Sequence, residues 1–373
     1  MDPSTILPEL LKGFSNFTPG NAVLIAFGAL LIYLAVVKEY EPVLLLPIGF
    51  GCIMANLGMS AESGWMKVLY DAGITTELFP LLIFIGVGAM IDFSPLLAQP
   101  SMVLLGAAGQ FGIYGTLILA TLLGFKLNEA ASIGIIGAID GPTSIFVATR
   151  LAPHMLAPIA VAAYSYMSLI PIIQPPLMRL LTTKKERRIR MAYAPRPVSK
   201  RARIAFPLLV MALISLIAPE AAPLIAALML GNLMKEVGVV DRLSKAAQNE
   251  IINIATLFLG LTIGATMTAE SFLKLETLAI MLLGLMAFGL DTVAGLLFGK
   301  LMAFVTRGKV NPLIGAAGIS AFPMAGRLAA KMAQDEDFEN FILMHAMGAN
   351  TAGQLGSVAA GGILLALVSG LIV

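Results

Sequence analysis

The stretch "GIIGAIDGPTSIFVATR", residues 134–150, decides what kind of protein this chain forms. It is almost wholly apolar, yet Asp140, Gly141 and Pro142 stand at its centre. Proline removes a backbone donor and glycine loosens a helix, so a regular helix does not run undisturbed through these positions. A carboxylate in apolar surroundings is costly unless it binds a cation or a proton. The stretch therefore predicts a broken helix with a functional acid at the break.

The composition places that broken helix in a membrane. The 373-residue chain is 58% hydrophobic and only 12% charged, with a mean hydropathy of +0.90. Soluble domains are roughly a quarter charged, so we predict an all-α, polytopic membrane protein. Its single cysteine, Cys52, excludes an intrachain disulfide. Residues 1–20 lack the basic start and apolar run of a cleavable signal peptide.

Apolar stretches predict about 10–12 membrane elements, several of them short or interrupted, since a full span needs about 20 residues. Residues 61–76 and 241–250 are polar enough to be interfacial connectors. The predicted elements lie at about 21–37, 42–59, 78–93, 101–125, 129–151, 155–178, 204–218, 221–238, 251–268, 276–305, 311–332 and 341–373.

A basic segment divides these elements into two sets of six. Residues 182–203, "TTKKERRIRMAYAPRPVSKRAR", hold nine of the 24 Lys and Arg residues. The positive-inside rule predicts a cytoplasmic loop here, and the loop is also a candidate docking surface for a cytoplasmic partner. We therefore predict a first membrane repeat at 1–181, the basic loop at 182–203 and a second membrane repeat at 204–373.

The two sets share short motifs in the same order, which indicates an internal duplication. Asn56 in "IMANLG" and Asn232 in "MLGNLM" are 176 positions apart, as are "VGAM" (87–90) and "IGAT" (263–266). Residues 126–152 and 309–329 both begin with K-x-N, contain I-G and end with R-L-A. The second of these is interrupted by "GISAFPMAG" (318–326), so the duplication predicts a pair of broken helices.

Paired broken helices are typical of transporters built from repeats, whose sites lie near the membrane midplane. If each broken element re-enters the membrane, the repeats are inverted; if each crosses fully, they are parallel. Most Lys and Arg residues fall on the cytoplasmic side in both arrangements, so charge does not choose between them. We take the inverted repeat as the expected fold.

The broken elements and the last helix offer oxygen ligands. Hard oxygen ligands suit a hard cation, and one carboxylate with neutral oxygens balances a monovalent ion, which favours sodium or a proton. His154 and His345 stand far apart and are expected to pack, Asp92 to end an element, and Asp291 to pack or to support the site indirectly. The candidate oxygen donors are Asp140, Thr143, Ser144, Asn311, Ser320, Asn350, Thr351 and Ser357.

Four stretches carry a resemblance to a known family. They are "GAIDGPTSIFVATRLAP" (137–153), "PIAVAAYSYMSLIPIIQPPLMRLLTTKKERRIRM" (158–191), "NPLIGAAGISAFPMAGRLAAKM" (311–332) and "FILMHAMGANTAGQLGSVAAG" (341–361). They strongly resemble the β subunit of the sodium-translocating biotin-dependent decarboxylases, which act on oxaloacetate, methylmalonyl-CoA or glutaconyl-CoA. The resemblance runs from about residue 20 to the end of the chain, and the compact N-terminus leans it toward an acyl-CoA decarboxylase.

The resemblance implies an enzyme that decarboxylates carboxybiotin, consumes a proton and exports Na⁺. It implies catalytic roles for Asp140, Tyr166, Ser320 and Arg327, with Arg327 holding the carboxyl group of carboxybiotin. The sodium ligands that it implies are Asp140, Asn311, Gly315, Ser320 and Asn350.

The resemblance also implies partners: a carboxyltransferase subunit, a biotin carrier protein that bears the biotin in place of this chain, and a small membrane subunit. We expect a multi-pass protein of the bacterial inner membrane, in contact with lipid, without nucleic acid and assembled as a homo-oligomer, by resemblance a trimer. Two other classes stay open from the residues: a sodium-coupled symporter or sodium/proton antiporter, and a structural membrane anchor.

Overall fold

The computed structural model describes residues 17–40, 42–62, 64–192 and 197–372, and this described part is helical with no β-strand. A bilayer favours helices because each satisfies its own backbone hydrogen bonds. The α-helices are α1 (Pro19–Val37), α2 (Pro42–Asn56), α3 (Gly64–Tyr70), α4 (Leu78–Met90), α5 (Ser94–Ala98), α6 (Met102–Ala108), α7 (Phe111–Leu122), α8 (Leu127–Gly134), α9 (Gly141–Leu151), α10 (Leu156–Leu181), α11 (Lys184–Arg187), α12 (Lys200–Ile217), α13 (Ala222–Val237), α14 (Asp241–Ala246), α15 (Ile252–Ala265), α16 (Ala269–Phe272), α17 (Leu275–Val305), α18 (Met324–Glu336) and α19 (Leu343–Ile372). Short 3₁₀ segments lie at Ile135–Ala138, Pro153–Met155, Pro219–Ala221 and Pro312–Gly318, and π segments at Asp71–Thr75 and Ala247–Ile251.

Among the described residues, five helical stretches are long and apolar enough to cross a membrane, and seven if each of two bent pairs is one span. The five are Pro19–Val37, Met102–Leu122, Asp241–Ala265, Leu275–Val305 and Leu343–Leu371, and the bent pairs are Gly64–Thr75 with Leu78–Met90 and Pro153–Met167 with Leu169–Leu181. Residues 241–250, expected from the sequence to be an interfacial connector, are helical and continue through a π segment into α15. Their Lys, Arg, Gln and Glu residues are good helix formers, so polarity alone did not end the helix.

The chain divides into two compact units, and each draws on both predicted repeats. The first consists of Met1–Phe79 with Asn253–Ala279, and the second of Pro80–Ile252 with Ile280–Val373. The repeat boundaries at 181 and 204 stay a prediction, since the compact units are defined by packing and the repeats by sequence.

In the first unit, α1 and α2 pack through two glycines. A Cβ on Gly28 would lie 2.7 Å from the Gly49 carbonyl oxygen, and one on Gly49 would lie 2.6 Å from the Gly28 carbonyl oxygen. Small residues let membrane helices approach closely and gain van der Waals contact. The hairpin therefore depends on glycine at both positions.

Two asparagines at equivalent positions of the predicted repeats make equivalent contacts, each inside its own unit. The Asn56 side-chain amide donates to the Met267 carbonyl oxygen at 2.8 Å. The Asn232 amide donates to the Ile91 carbonyl oxygen at 3.0 Å. Met267 and Ile91 are themselves 176 positions apart, the same separation as the two asparagines. The two contacts thus join positions with the same separation, and the duplication itself stays a prediction.

In the second unit, the long helix α19 packs against both broken elements. Its neighbours include α6, α9, α18 and the 3₁₀ segment Pro312–Gly318. Its buried face is rich in alanine and glycine, with Ala346, Ala349 and Ala352 in the core. This small-residue face brings backbone and polar side chains of both breaks close to one helix.

Candidate functional site

The first broken element is interrupted as the sequence predicts. Helix α8 tightens into the 3₁₀ segment Ile135–Ala138, and Ile139 then adopts a left-handed conformation with φ of 52°. Asp140 is extended and caps α9, and its side chain accepts a hydrogen bond from the Thr143 amide. Proline near the start of a helix is favoured because its missing N–H needs no partner there. The local sequence therefore ends one helix and starts the next at the acid.

The Asp140 carboxylate is buried, with 5% of the residue exposed, and it accepts three side-chain hydrogen bonds. Its Oδ2 atom lies 2.8 Å from Thr143 Oγ1, 2.8 Å from Gln354 Nε2 and 2.8 Å from Ser357 Oγ. Two of these donors come from α19, more than 200 positions away in the chain. All are neutral, so they orient the carboxylate and leave its charge uncompensated.

The Tyr164 ring packs against Gly141, the first residue of α9. A Cβ on Gly141 would lie 2.2 Å from Cε1 of the Tyr164 ring, so only glycine fits beside Asp140. Tyr164 is 2% exposed. The sequence analysis missed this residue and chose Tyr166, two positions further on.

The second broken element meets the first at its own break. Pro312–Gly318 is a 3₁₀ segment, Ile319 is extended, and α18 begins only at Met324. The Ser320 hydroxyl and backbone amide both donate to the Ala138 carbonyl oxygen. Both predicted interruptions are therefore present, and the two breaks are in direct contact.

Asn350 ties the second break to α19. Its amide nitrogen donates to the carbonyl oxygens of Ala317 at 3.1 Å and Ile319 at 2.6 Å. Its own amide oxygen is buried and has no hydrogen-bond partner among the described residues. Buried polar atoms are normally paired, so this oxygen is a candidate cation ligand.

One face of α19 contacts both breaks. Asn350, Gln354 and Ser357 follow one another at spacings of four and three residues, which places them on one helical face. Asn350 contacts the second break, and Gln354 and Ser357 contact Asp140. The sequence analysis missed Gln354. The signal for it was its spacing, which puts it on the same face of an apolar helix as Asn350 and Ser357.

Two other predicted site residues, Asn311 and Gly315, contact other parts of the second unit. The Asn311 amide donates to the carbonyl oxygens of Arg187 and Ile189 at 2.9 Å each. Seven 3₁₀ residues, about 14 Å at about 2 Å per residue, and the extended Ile319 separate it from Ser320. Gly315 packs against α17, since a Cβ there would lie 2.0 Å from the Gly295 carbonyl oxygen.

Tyr166 and Arg327 also have separate surroundings. The Tyr166 hydroxyl donates to the Met281 carbonyl oxygen, which ties α10 to α17. Arg327 is exposed in the first turns of α18. Among the described residues, no ion pair involving its guanidinium is found within 4.0 Å. The structure thus places Asp140, Ser320 and Asn350 at the two adjoining breaks, whereas Asn311, Gly315 and Arg327 have other surroundings. The Tyr166 ring lies beside Gly284 of α17, which also faces Ile136 of the first broken element.

The first part of the basic loop is held against the end of α18. Arg187 contacts Glu336 at 2.6 Å and Arg190 contacts Asp337 at 2.7 Å. The hydrogen bond from Arg187 lowers the pKa of Glu336, and the one from Arg190 lowers the pKa of Asp337. These ion pairs join this part of the loop to acids that lie about 150 positions away in the chain.

Taken together, the described residues form an all-helical, multi-pass membrane protein in which the buried Asp140 carboxylate lies where two broken helices meet. Paired broken helices with polar groups at the breaks are typical of proteins that move a small ion or substrate across a membrane. A family profile described as the Na⁺-transporting oxaloacetate decarboxylase beta subunit matches residues 20–368. The chain belongs to this family.

Characterised relatives extend the comparison over nearly the whole chain. The methylmalonyl-CoA decarboxylase subunit beta of Veillonella parvula is 54% identical over 96% of each chain. The glutaconyl-CoA decarboxylase subunit beta of Acidaminococcus fermentans is 53% identical, again over 96% of each chain. The oxaloacetate decarboxylase beta chain 2 of Salmonella typhi is 44% identical, over 97% of this chain and 99% of its own.

The family match and these identities decide between the three classes of protein that the sequence left open: decarboxylase subunit, sodium-coupled transporter and structural anchor. The chain is a membrane subunit of a sodium-transporting decarboxylase and part of a multi-subunit complex. A freestanding symporter or a passive anchor no longer accounts for it.

Proposed function

We propose that this subunit decarboxylates carboxybiotin and uses the reaction to export Na⁺ through the Asp140 site. In the reaction, the bond between the ureido nitrogen of biotin and its carboxyl carbon breaks. Carbon dioxide leaves, and the nitrogen takes up one proton. The observation that carries the proposal is the Asp140 carboxylate, buried between two broken helices and held only by neutral donors.

Coupling follows from the chemistry of a single carboxylate. Asp140 holds either Na⁺ or H⁺, since one negative charge balances one of them. The Asn350 amide oxygen and the Ser320 hydroxyl lie at the adjoining break and are proposed as further sodium ligands. Asn311 and Gly315 are proposed to position the second broken element, through the loop carbonyls and through α17 respectively.

Arg327 is proposed to hold the carboxyl group of carboxybiotin. A guanidinium binds both carboxylate oxygens at once, and Arg327 is exposed on the helix that follows the second break. Tyr166 is proposed to act from α10 by fixing α17 beside the site. Its hydroxyl donates to a backbone carbonyl, and no hydrogen bond to another proposed ligand is found among the described residues.

The proposed partners are a carboxyltransferase, a biotin carrier protein that bears the biotin and a small membrane subunit, in a bacterial inner membrane. We propose a trimer of this chain, on the basis of the family resemblance alone. An acyl-CoA substrate for the complex is favoured, because identity is 54% and 53% to two acyl-CoA decarboxylase subunits and 44% to an oxaloacetate decarboxylase chain.

Asp140→Asn tests the proposal. Asparagine keeps the oxygen that caps α9 and removes the charge, so the fold should survive while Na⁺-dependent carbon dioxide release and Na⁺ binding fall together. Asp92→Asn is the matched control, because Asp92 is exposed and its side chain caps the Ser94 amide. Wild-type Na⁺-dependent release in the Asp140→Asn complex would contradict the assignment.

Isolation of the complex tests the partners. The protein is solubilised from its native membrane, purified and probed with labelled avidin. A co-purifying biotinylated protein is expected, and its absence from a preparation with active decarboxylase would argue against carboxybiotin as the substrate.

A further inference from the structure

One face of α17 contacts both broken elements. Positions 284, 287, 291, 295 and 299 follow one another at spacings of three and four, and all are glycine or alanine except Asp291. Such a stripe of small residues allows close backbone packing in membranes. Asp291 is the only charged member of this stripe.

The contacts place Asp291 between the two broken elements. A Cβ on Gly137, in the first element, would lie 3.0 Å from Asp291 Oδ2 and 3.1 Å from the Ala287 side chain. One turn further along α17, a Cβ on Gly295 would lie 2.2 Å from the Gly315 carbonyl oxygen of the second element. Asp291 therefore lies where α17 passes from one break to the other.

The carboxylate of Asp291 is fully buried, and only one of its two oxygens accepts a hydrogen bond among the described residues. Its Oδ1 atom accepts a hydrogen bond from the Gly112 amide, in the first turn of α7. Its Oδ2 atom has no hydrogen-bond partner among the described residues. The residue is 0% exposed, and no described Lys, Arg or His side chain forms an ion pair with it.

Capping α7 does not by itself require an acid. The cap uses one oxygen, which the amide of an asparagine supplies equally well and without a charge. An isolated ionised carboxylate in an apolar interior is far more costly than a neutral amide. The second oxygen of Asp291 therefore points to a ligand that a carboxylate binds and an amide does not.

Other ionisable groups near this position do not supply that ligand. Among the described residues of the packed elements, Tyr114 on α7 lies at an open apolar groove, and the Tyr166 hydroxyl of α10 donates to the Met281 carbonyl oxygen. Asp140 is engaged by Gln354 and Ser357 of α19. Gly137 is three residues from Asp140, at most about 11 Å of extended chain.

We propose that Asp291 is a second binding site for a monovalent cation, Na⁺ or H⁺, used in the same transport cycle as Asp140. The inference rests on the proposed function. Two carboxylates then lie at the first broken element: Asp140, which is hydrogen-bonded to α19, and Asp291, which belongs to α17. Each offers one negative charge, so each takes one monovalent cation.

The test uses the purified complex in sealed proteoliposomes, with Na⁺ uptake, proton movement and carbon dioxide release measured together. Asp291→Asn keeps the oxygen that caps α7, so the complex should still assemble, and we expect the number of cations moved per carbon dioxide released to fall by one. A loss in the Na⁺ count identifies Na⁺ as the ligand, and a loss in the proton count identifies H⁺. Unchanged counts of both ions overturn the inference.

A second measurement does not depend on the variant's yield. In difference infrared spectra of the wild-type protein, a protonated Asp291 gives a carboxyl band that is absent from Asp291→Asn and retained by Asp92→Asn. A bound Na⁺ gives instead a sodium-dependent change in the carboxylate bands that Asp291→Asn removes. If neither signal depends on Asp291, the site does not exist. If the wild-type complex shows no Na⁺-dependent decarboxylation at all, the proposed function fails instead.

Discussion

Ser357→Ala should weaken sodium binding much more than Ser144→Ala does. The Ser357 hydroxyl donates to the Asp140 carboxylate at 2.8 Å, whereas the Ser144 hydroxyl donates to the Asp140 backbone carbonyl at 2.9 Å. Both serines are 0% exposed. Each substitution removes one hydroxyl beside the same break, so the pair separates contact with the charge from burial alone.

The magnitude follows from the contacts of the carboxylate. Asp140 accepts three side-chain donors, each at 2.8 Å, and Ser357→Ala removes one of them. A hydrogen bond to a charged group contributes about 1.5–3 kcal/mol, and one to a neutral group about 0.5–1.5 kcal/mol. At about 1.4 kcal/mol per factor of ten, sodium affinity should fall about ten- to a hundredfold in Ser357→Ala. In Ser144→Ala the loss should be tenfold at most and should show chiefly in stability.

The assay is an equilibrium Na⁺ titration of the purified subunit by calorimetry at fixed pH, with thermal unfolding measured on the same samples. The Na⁺ concentration for half-maximal carbon dioxide release by the complex should move in parallel. The reasoning is refuted if Ser357→Ala binds Na⁺ no more weakly than Ser144→Ala. It is also refuted if the two variants lose stability equally and neither loses affinity.

Two further predictions concern other parts of the second unit. Arg327→Lys replaces a two-point grip on a carboxylate with a point contact, so turnover of free carboxybiotin should fall about ten- to a hundredfold for a loss of about 1.5–3 kcal/mol. Sodium binding should stay intact, and a collapse of binding with turnover preserved would assign Arg327 to the ion site. Gly295→Ala should lower unfolding stability by about 1–3 kcal/mol through overpacking, because its Cβ would lie 2.2 Å from a carbonyl oxygen of the second broken element. Gly289→Ala on the same helix, with no atom within 4 Å, should not destabilise the protein, and equal melting temperatures for the two variants would contradict this packing.

The sequence by itself determined the class of the protein and the places where its helices break. Few charges over a long apolar chain require a membrane, and this holds whatever the packing. A Gly-Pro pair after Asp140 disrupts helical hydrogen bonding locally, so the break at 135–140 and the cap on α9 follow from neighbouring residues. The second break was found in the same way, from the repeat and from Pro323.

The tertiary structure alone decided which side chains meet at the breaks. Gln354 and Ser357 reach Asp140 across more than 200 positions, and no local pattern specifies that pairing. Asn311 and Asn350 look alike in sequence, yet one contacts the basic loop and the other the second break.

Tertiary packing also decided the contacts of Asp291 and of the basic loop. The sequence shows an acid in an apolar helix, but only packing shows that one of its oxygens caps α7 and that the other lies beside Gly137 without a hydrogen-bond partner. The sequence shows a cationic loop, but only packing pairs Arg187 with Glu336. Backbone breaks depend on neighbours within a helical turn, whereas ligand sets depend on which helices pack together, and that is fixed by the whole core.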